Sequence, residues 1–139
     1  MDLIRWIDFQ SLGDKRGSLV AVEIGQEKCI PFEIKRVYYI FDTATNASRG
    51  YHAHHNLSQV IICLKGKCRM ALDNGLVREE VWLDNPTKGL LVENLVWREM
   101  HDFSDDCVLL VLASEHYDES DYIRVFNDFL KEVDHAKNS

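Results

Sequence analysis

Several things this sequence lacks bound it before any motif is considered. No apolar run approaches the ~20 residues needed to span a bilayer, so a membrane protein built on a helical anchor is not expected. The opening Met1-Asp2-Leu3-Ile4-Arg5-Trp6 has no basic stretch leading into an apolar one, so no secretory signal is expected either, and the chain reads as cytoplasmic. No basic face stands out, and the net charge is −7, which argues against a general nucleic-acid binder. The four cysteines, Cys29, Cys63, Cys68 and Cys107, form no C-x-x-C pair, so zinc-ribbon and thioredoxin-like arrangements are not indicated and four buried thiols are expected. Internal repeats, linkers and low-complexity segments are also missing. At 139 residues, this leaves a single domain over 1–139, with about 134–139 as a frayed tail.

What is present is mostly short and β-rich. Leu19–Ile24, Arg36–Phe41, Gln59–Leu64, Lys67–Leu72, Val77–Leu83, Gly89–Val92 and Cys107–Leu112 are dominated by Val, Ile, Leu, Tyr and Cys. Turn formers separate them, with Asp73-Asn74-Gly75 the best, because Asn and Gly accept the positive φ of tight hairpins. Many short strands at close spacing predict a sandwich or barrel. One helix follows: Ser120 and Asp121 supply N-cap chemistry, and Ile123, Phe126, Phe129, Leu130 and Val133 recur at helical spacing, a stripe expected to pack on the barrel.

The chemistry concentrates in Arg49-Gly50-Tyr51-His52-Ala53-His54. Residues two apart on a strand share a face, so His52 and His54 present two imidazoles side by side, while His55 faces away. Gly50 would admit close approach of backbone or ligand. Arg16, Arg36, Arg49 and Arg98 supply guanidinium groups suited to forked binding of phosphate. Tyr38 and Tyr39 point to opposite faces, and Trp97 stands next to Arg98. These features together fit an anionic ligand carrying a ring, such as a nucleotide-linked sugar.

The string Gly50-Tyr51-His52-Ala53-His54, followed later by Gly66, resembles the first motif of the cupin superfamily, which implies an all-β, cupin-type (jelly-roll) β-barrel with a C-terminal α-helix. Metal-binding cupins place a glutamate and a further histidine after such a pair; here those positions hold Gln59 and Arg98. Gln is a weak neutral ligand, and a cation beside a divalent metal is unfavourable. No metal and no other cofactor are therefore expected, and the histidines are free for acid–base work.

The resemblance narrows with Asp14–Leu19, Ile34–Ile40, Val96–Phe103, Val111–Glu115 and Tyr117–Arg124. Together with the histidine string they resemble the dTDP-4-keto-6-deoxyglucose 3,4-ketoisomerases of the FdtA and QdtA group. That resemblance implies an isomerase acting on a dTDP-linked 4-keto-6-deoxy sugar, moving the keto group from C4 to C3 through an enediol(ate). The product would feed a 3-amino-3,6-dideoxyhexose pathway. It implies His52, His54 and Tyr38 as catalytic residues, with His54 taken as the base and His52 as its partner, an assignment the sequence leaves reversible. Arg16, Arg49, Arg98, Trp97 and Gln59 are the expected substrate contacts. A homodimer with exchanged N-terminal strands is also implied, giving Leu3, Ile4, Trp6 and Ile7 a place to pack. The alternatives are a nucleotide-sugar epimerase of the same barrel class, a metal-dependent cupin enzyme and a non-catalytic sugar-binding module.

Overall fold

The structure is a computed structural model that describes residues 3–23 and 30–138. Cys29 and Ile24 lie outside the described residues.

Two five-stranded antiparallel sheets form the body of the fold. One has the order β1-β9-β6-β11-β4, from Trp6–Asp8, Lys88–Val92, Gln59–Lys65, Val108–Ala113 and Arg36–Ile40. The other has the order β12-β5-β10-β7-β8, from Tyr122–Ile123, Arg49–His54, Trp97–His101, Cys68–Asp73 and Arg78–Leu83. A hairpin of β2 (Leu12–Asp14) and β3 (Gly17–Leu19) pairs with no other strand among the described residues. The strand order is that of the expected jelly roll. One correction concerns closure: the two sheets face one another without a hydrogen-bonded seam, so this is a sandwich-like jelly roll and not a closed barrel.

The alternation of the strands explains the core. Inward residues of both sheets, including Ile61, Met70, Leu72, Leu90, Leu109 and Val111, form one wholly buried cluster. Cys63, Cys68 and Cys107 belong to it as free thiols, and burial drives the first up to about 12. They behave as small apolar side chains.

Two local expectations change. The strand expected over Leu19–Ile24 is the shorter Gly17–Leu19, because the chain leaves the hairpin after Leu19. The helix does not begin at Ser120 and Asp121. A 3₁₀ turn, Glu119–Asp121, is capped by Asp118, and β12 follows before α1, Phe126–Lys137, which has no side-chain cap. Asp121 is diverted because its carboxylate is engaged at the histidines. The helix runs to Lys137, well into the segment expected to fray. Its stripe behaves as expected: Phe129 is wholly buried with Ala53, Trp97 and Ile123, and Phe126, Leu130 and Val133 pack around them. The helix thus backs the sheet whose opposite face carries the histidines.

Candidate active site

β5 is built to bring two side chains against β10. His52 lies opposite Arg98 in the ladder, and the register slips between Arg98 and Glu99. Gly50 (φ +89°) and Tyr51 (φ +58°) absorb that slip. A Cβ on Gly50 would stand 2.9 Å from the carbonyl oxygen of Arg98, so the close approach that this glycine permits is that of the neighbouring strand. Beyond the bulge the strand alternates normally. His52 and His54 share a face with ring centroids 5.0 Å apart, Ala53 turns into the helix cluster, and His55 faces Glu132 of α1 at 3.9 Å.

The two histidines are not equivalent. His52 lines a cleft of about 280 Å³, together with Tyr38, Arg36, Arg49, Gln59, Arg98 and Tyr122. His54 is buried beneath it. Its Nδ1 lies 3.1 Å from Asp121 Oδ2, and the other Asp121 oxygen accepts the Asn56 backbone N–H at 2.9 Å. A carboxylate can only accept, so the His54 proton sits on Nδ1 and Nε2 carries a lone pair, buried and without a hydrogen-bond partner among the described residues. Tyr122 packs its ring against both imidazoles, at 5.0 Å and 4.3 Å. β12 fixes it there, pairing Tyr122 with His54.

A second polar chain crosses the cleft floor. Arg98 is wholly buried; its guanidinium donates to Gln59 Oε1 at 2.6 Å and to the Val96 carbonyl at 3.0 Å. Gln59 Nε2 donates to the Tyr38 hydroxyl at 2.8 Å. No carboxylate pairs with Arg98 through a hydrogen bond among the described residues, so a cation is held in the floor by neutral acceptors.

This environment sets the charge states. Burial, then the Arg98 cation, pulls His52 down to about 3. Burial and Arg98 pull His54 to about 2. Both imidazoles are therefore neutral at physiological pH. Burial raises the Tyr38 phenol against the opposing influence of Arg98 and Gln59, keeping it protonated. Burial brings Arg98 down only to about 10, so it stays a cation. Arg36 stands 5.2 Å from the Tyr38 ring, and Arg124 stands 4.2 Å from that of Tyr122. The chain is acidic as a whole, yet its cleft is positive.

Among the residues expected from sequence, His52, Tyr38, Arg49, Arg98 and Gln59 converge on the cleft, with His54 directly behind. Gln59 has both polar ends engaged within the protein and is not free to grip a ligand. Two residues are elsewhere. Trp97 points to the opposite side of β10, packs on Phe126 and Phe129, and donates from Nε1 to Glu99. Arg16 is on the β2–β3 hairpin, 90% exposed and paired with Asp14. Sequence reasoning missed Asp121, which pairs with His54, and Tyr122 and Tyr117, which line the cleft. They come from a segment distant along the chain, and its Ser-Asp pair reads locally as a helix cap.

The residues do not fit a metal. His52 and His54 offer two nitrogens, but the third position holds a committed amide and the fourth a guanidinium cation. Among the described residues, no three His, Cys, Asp or Glu side chains converge on one point.

Comparison with known proteins agrees with this geometry. The family model described as FdtA, WxcM-like, C-terminal, matches residues 2–134. A TDP-4-oxo-6-deoxy-alpha-D-glucose-3,4-oxoisomerase of Aneurinibacillus thermoaerophilus is 56% identical over 127 residues, covering 91% of this chain and 90% of that one. A mutant of the 3,4-ketoisomerase QdtA from Thermoanaerobacterium thermosaccharolyticum, solved with TDP-4-keto-6-deoxyglucose, superposes with a TM-score of 0.91 at 44% identity, covering 97% and 96% of the two chains. The TDP-quinovose 3,4-ketoisomerase WlaRB from Campylobacter jejuni gives a TM-score of 0.87 at 45% identity, covering 94% and 99%.

Proposed function

Since this chain belongs to the FdtA, WxcM-like C-terminal family, we propose that it is a sugar-nucleotide 3,4-ketoisomerase acting on TDP-4-keto-6-deoxyglucose. The observation that carries this reading is a cleft lined by one neutral imidazole with a second directly beneath it, a protonated phenol and a buried cation that no carboxylate hydrogen-bonds among the described residues. Moving a ketone to the adjacent carbon changes no net oxidation level. It needs a base for a carbon-bound proton, donors for the enediolate oxygens and a route for returning the proton, and these side chains offer all three.

The base is His52 in this reading, the reverse of the order taken from the sequence, because His52 lines the cleft and His54 lies beneath it. His52 takes the C3 proton, acidified by the C4 ketone. The electrons move into C3–C4 and onto O4. Tyr38 donates to the developing oxyanion, and Arg98 supplies the compensating field; groups of this kind contribute about 3–4 kcal/mol each in well-studied enzymes. The O3 proton passes to O4, and the ketone re-forms at C3. His54, held by Asp121, shares the charge on His52 until a proton, exchanged with solvent, is delivered to C4. Arg49 and Arg36 at the cleft wall are suited to the diphosphate.

A homodimer belongs to the same proposal. The β2–β3 hairpin is exposed throughout and pairs with no other strand among the described residues, and a two-stranded hairpin in isolation is marginally stable. Val37, Tyr39 and Phe41 form an exposed apolar row on the edge strand β4 and beyond its end. Exchange of N-terminal strands would cover such surfaces and carry Arg16 towards a partner's cleft. Light scattering should give twice the chain mass. A cytoplasmic location fits the supply of sugar nucleotides; no helix among the described residues is long and apolar enough to cross a membrane.

Incubation with TDP-4-keto-6-deoxyglucose, followed by NMR, tests the function. The expected product carries its ketone at C3 and, in deuterated water, deuterium at C4. Exchange beside an unmoved C4 ketone would mark an epimerase and overturn the proposal. An unchanged substrate would point to a binding module.

A further inference from the structure

We propose that Gln59 is a positioning residue whose amide sets the direction of the hydrogen-bond chain Arg98–Gln59–Tyr38, so that the phenolic hydrogen of Tyr38 is delivered to the cleft. The inference rests on the proposed ketoisomerase activity for its catalytic meaning, although the polarity follows from the geometry alone.

Each link leaves one choice. A guanidinium only donates, so the Gln59 atom 2.6 Å from Arg98 is the carbonyl oxygen. The NH₂ is then the end that meets Tyr38 at 2.8 Å, and an amide NH₂ only donates. The phenolic oxygen must accept this bond, so its own hydrogen cannot lie along it. Tyr38 makes no other hydrogen bond among the described residues, and its ring lines the cleft. The free O–H is therefore available to a ligand oxygen. The same amide that turns the hydrogen outward also donates to the tyrosinate that would remain after proton donation.

An amide suits this position better than a carboxylate or an apolar side chain. A carboxylate of the same length would keep the bond to Arg98, but its second oxygen would accept from Tyr38. The phenolic hydrogen would then be held inside the wall. A purely apolar side chain would leave the buried Arg98 without its best acceptor. Gln59 is nearly wholly buried, so it acts on the ligand through Tyr38.

The test is a double-mutant cycle on kcat, with an NMR measurement that needs no turnover. Gln59→Glu should lower kcat about a hundredfold, comparable to removing one oxyanion donor, with KM within a few-fold of the wild type. In a Tyr38→Phe background, where the hydrogen is already gone, the same change should cost less than about threefold, because the two substitutions remove one interaction. The side-chain amide resonance of Gln59 should shift on Tyr38→Phe in the unliganded protein. The proposal is overturned if Gln59→Glu keeps kcat, if the two losses multiply, or if the Gln59 amide is indifferent to Tyr38→Phe. If the wild type leaves TDP-4-keto-6-deoxyglucose unchanged, the activity assignment falls, and the amide resonance still decides the polarity.

Discussion

Asp121→Asn offers a demanding test of the histidine pair. Asp121 Oδ1 is fixed by the Asn56 backbone N–H at 2.9 Å, and Oδ2 faces His54 Nδ1 at 3.1 Å. In the Asn variant the side-chain carbonyl keeps the Asn56 bond, which aims the new NH₂ at His54 Nδ1. Two donors cannot pair. His54 either leaves both groups unpaired or moves its proton to Nε2, where no acceptor stands among the described residues. A buried donor left unmade costs about 1–3 kcal/mol. If the reactive state requires a lone pair at His54 Nε2, that cost appears in the tautomer equilibrium of His54 and lowers kcat by about 10- to 100-fold. KM should change little, since Asp121 lies behind the histidines. Steady-state kinetics supply the first readout, and imidazole ¹⁵N shifts of His54 report the tautomer directly. A variant with wild-type kcat and a His54 proton still on Nδ1 would refute the reasoning.

The other predictions probe charge state, backbone and packing. Both imidazoles titrate well below the ordinary 6.5, at about 3 and about 2, so the unfolded chain takes up protons that the folded one refuses. Stability should therefore be undiminished above pH 6.5 and fall as pH drops from there towards 3; His52→Asn should flatten that fall in a thermal-melt series. Gly50→Ala forces a Cβ to 2.9 Å from the Arg98 carbonyl at φ +89° and should cost about 2–3 kcal/mol, or roughly 10 °C in Tm. Phe129→Ala empties the centre of the helix–sheet contact and should cost about 3–5 kcal/mol by chemical denaturation. Trp97→Phe keeps the ring packing away from the cleft, so KM should stay within about twofold; a KM several-fold higher would return this residue to the ligand.

The strands and the histidine face were legible because period-two alternation and turn residues are local signals. The pairing of His52 with His54 needed only the geometry of one strand. Their unequal depth was not legible, since it depends on Tyr122 and Asp121 arriving from 67–70 residues away. Trp97 was misread for a related reason: adjacency to Arg98 in sequence places it on the opposite face of the same strand. Gln59 was half visible, as a weak neutral ligand where a carboxylate is usual and as an expected substrate contact, but its two partners within the protein emerge only from the packed floor. Helix capping by Ser120 and Asp121 failed because a tertiary demand on the carboxylate outweighed a local propensity.

The two-residue strand β12 has a consequence for assembly in time. It stitches Tyr122 and Ile123 onto His54 and Ala53, closing a loop of 67 residues between His54 and Asp121. Closure of that length costs ~4 kcal/mol of chain entropy before any contact repays it. The floor of the cleft is thus expected to form late in folding, when the end of the sheet docks and α1 seals its back. During synthesis the histidine strand exists long before its lid of ring and carboxylate. Competence should appear as a single event at the end, with no partly active intermediate preceding it.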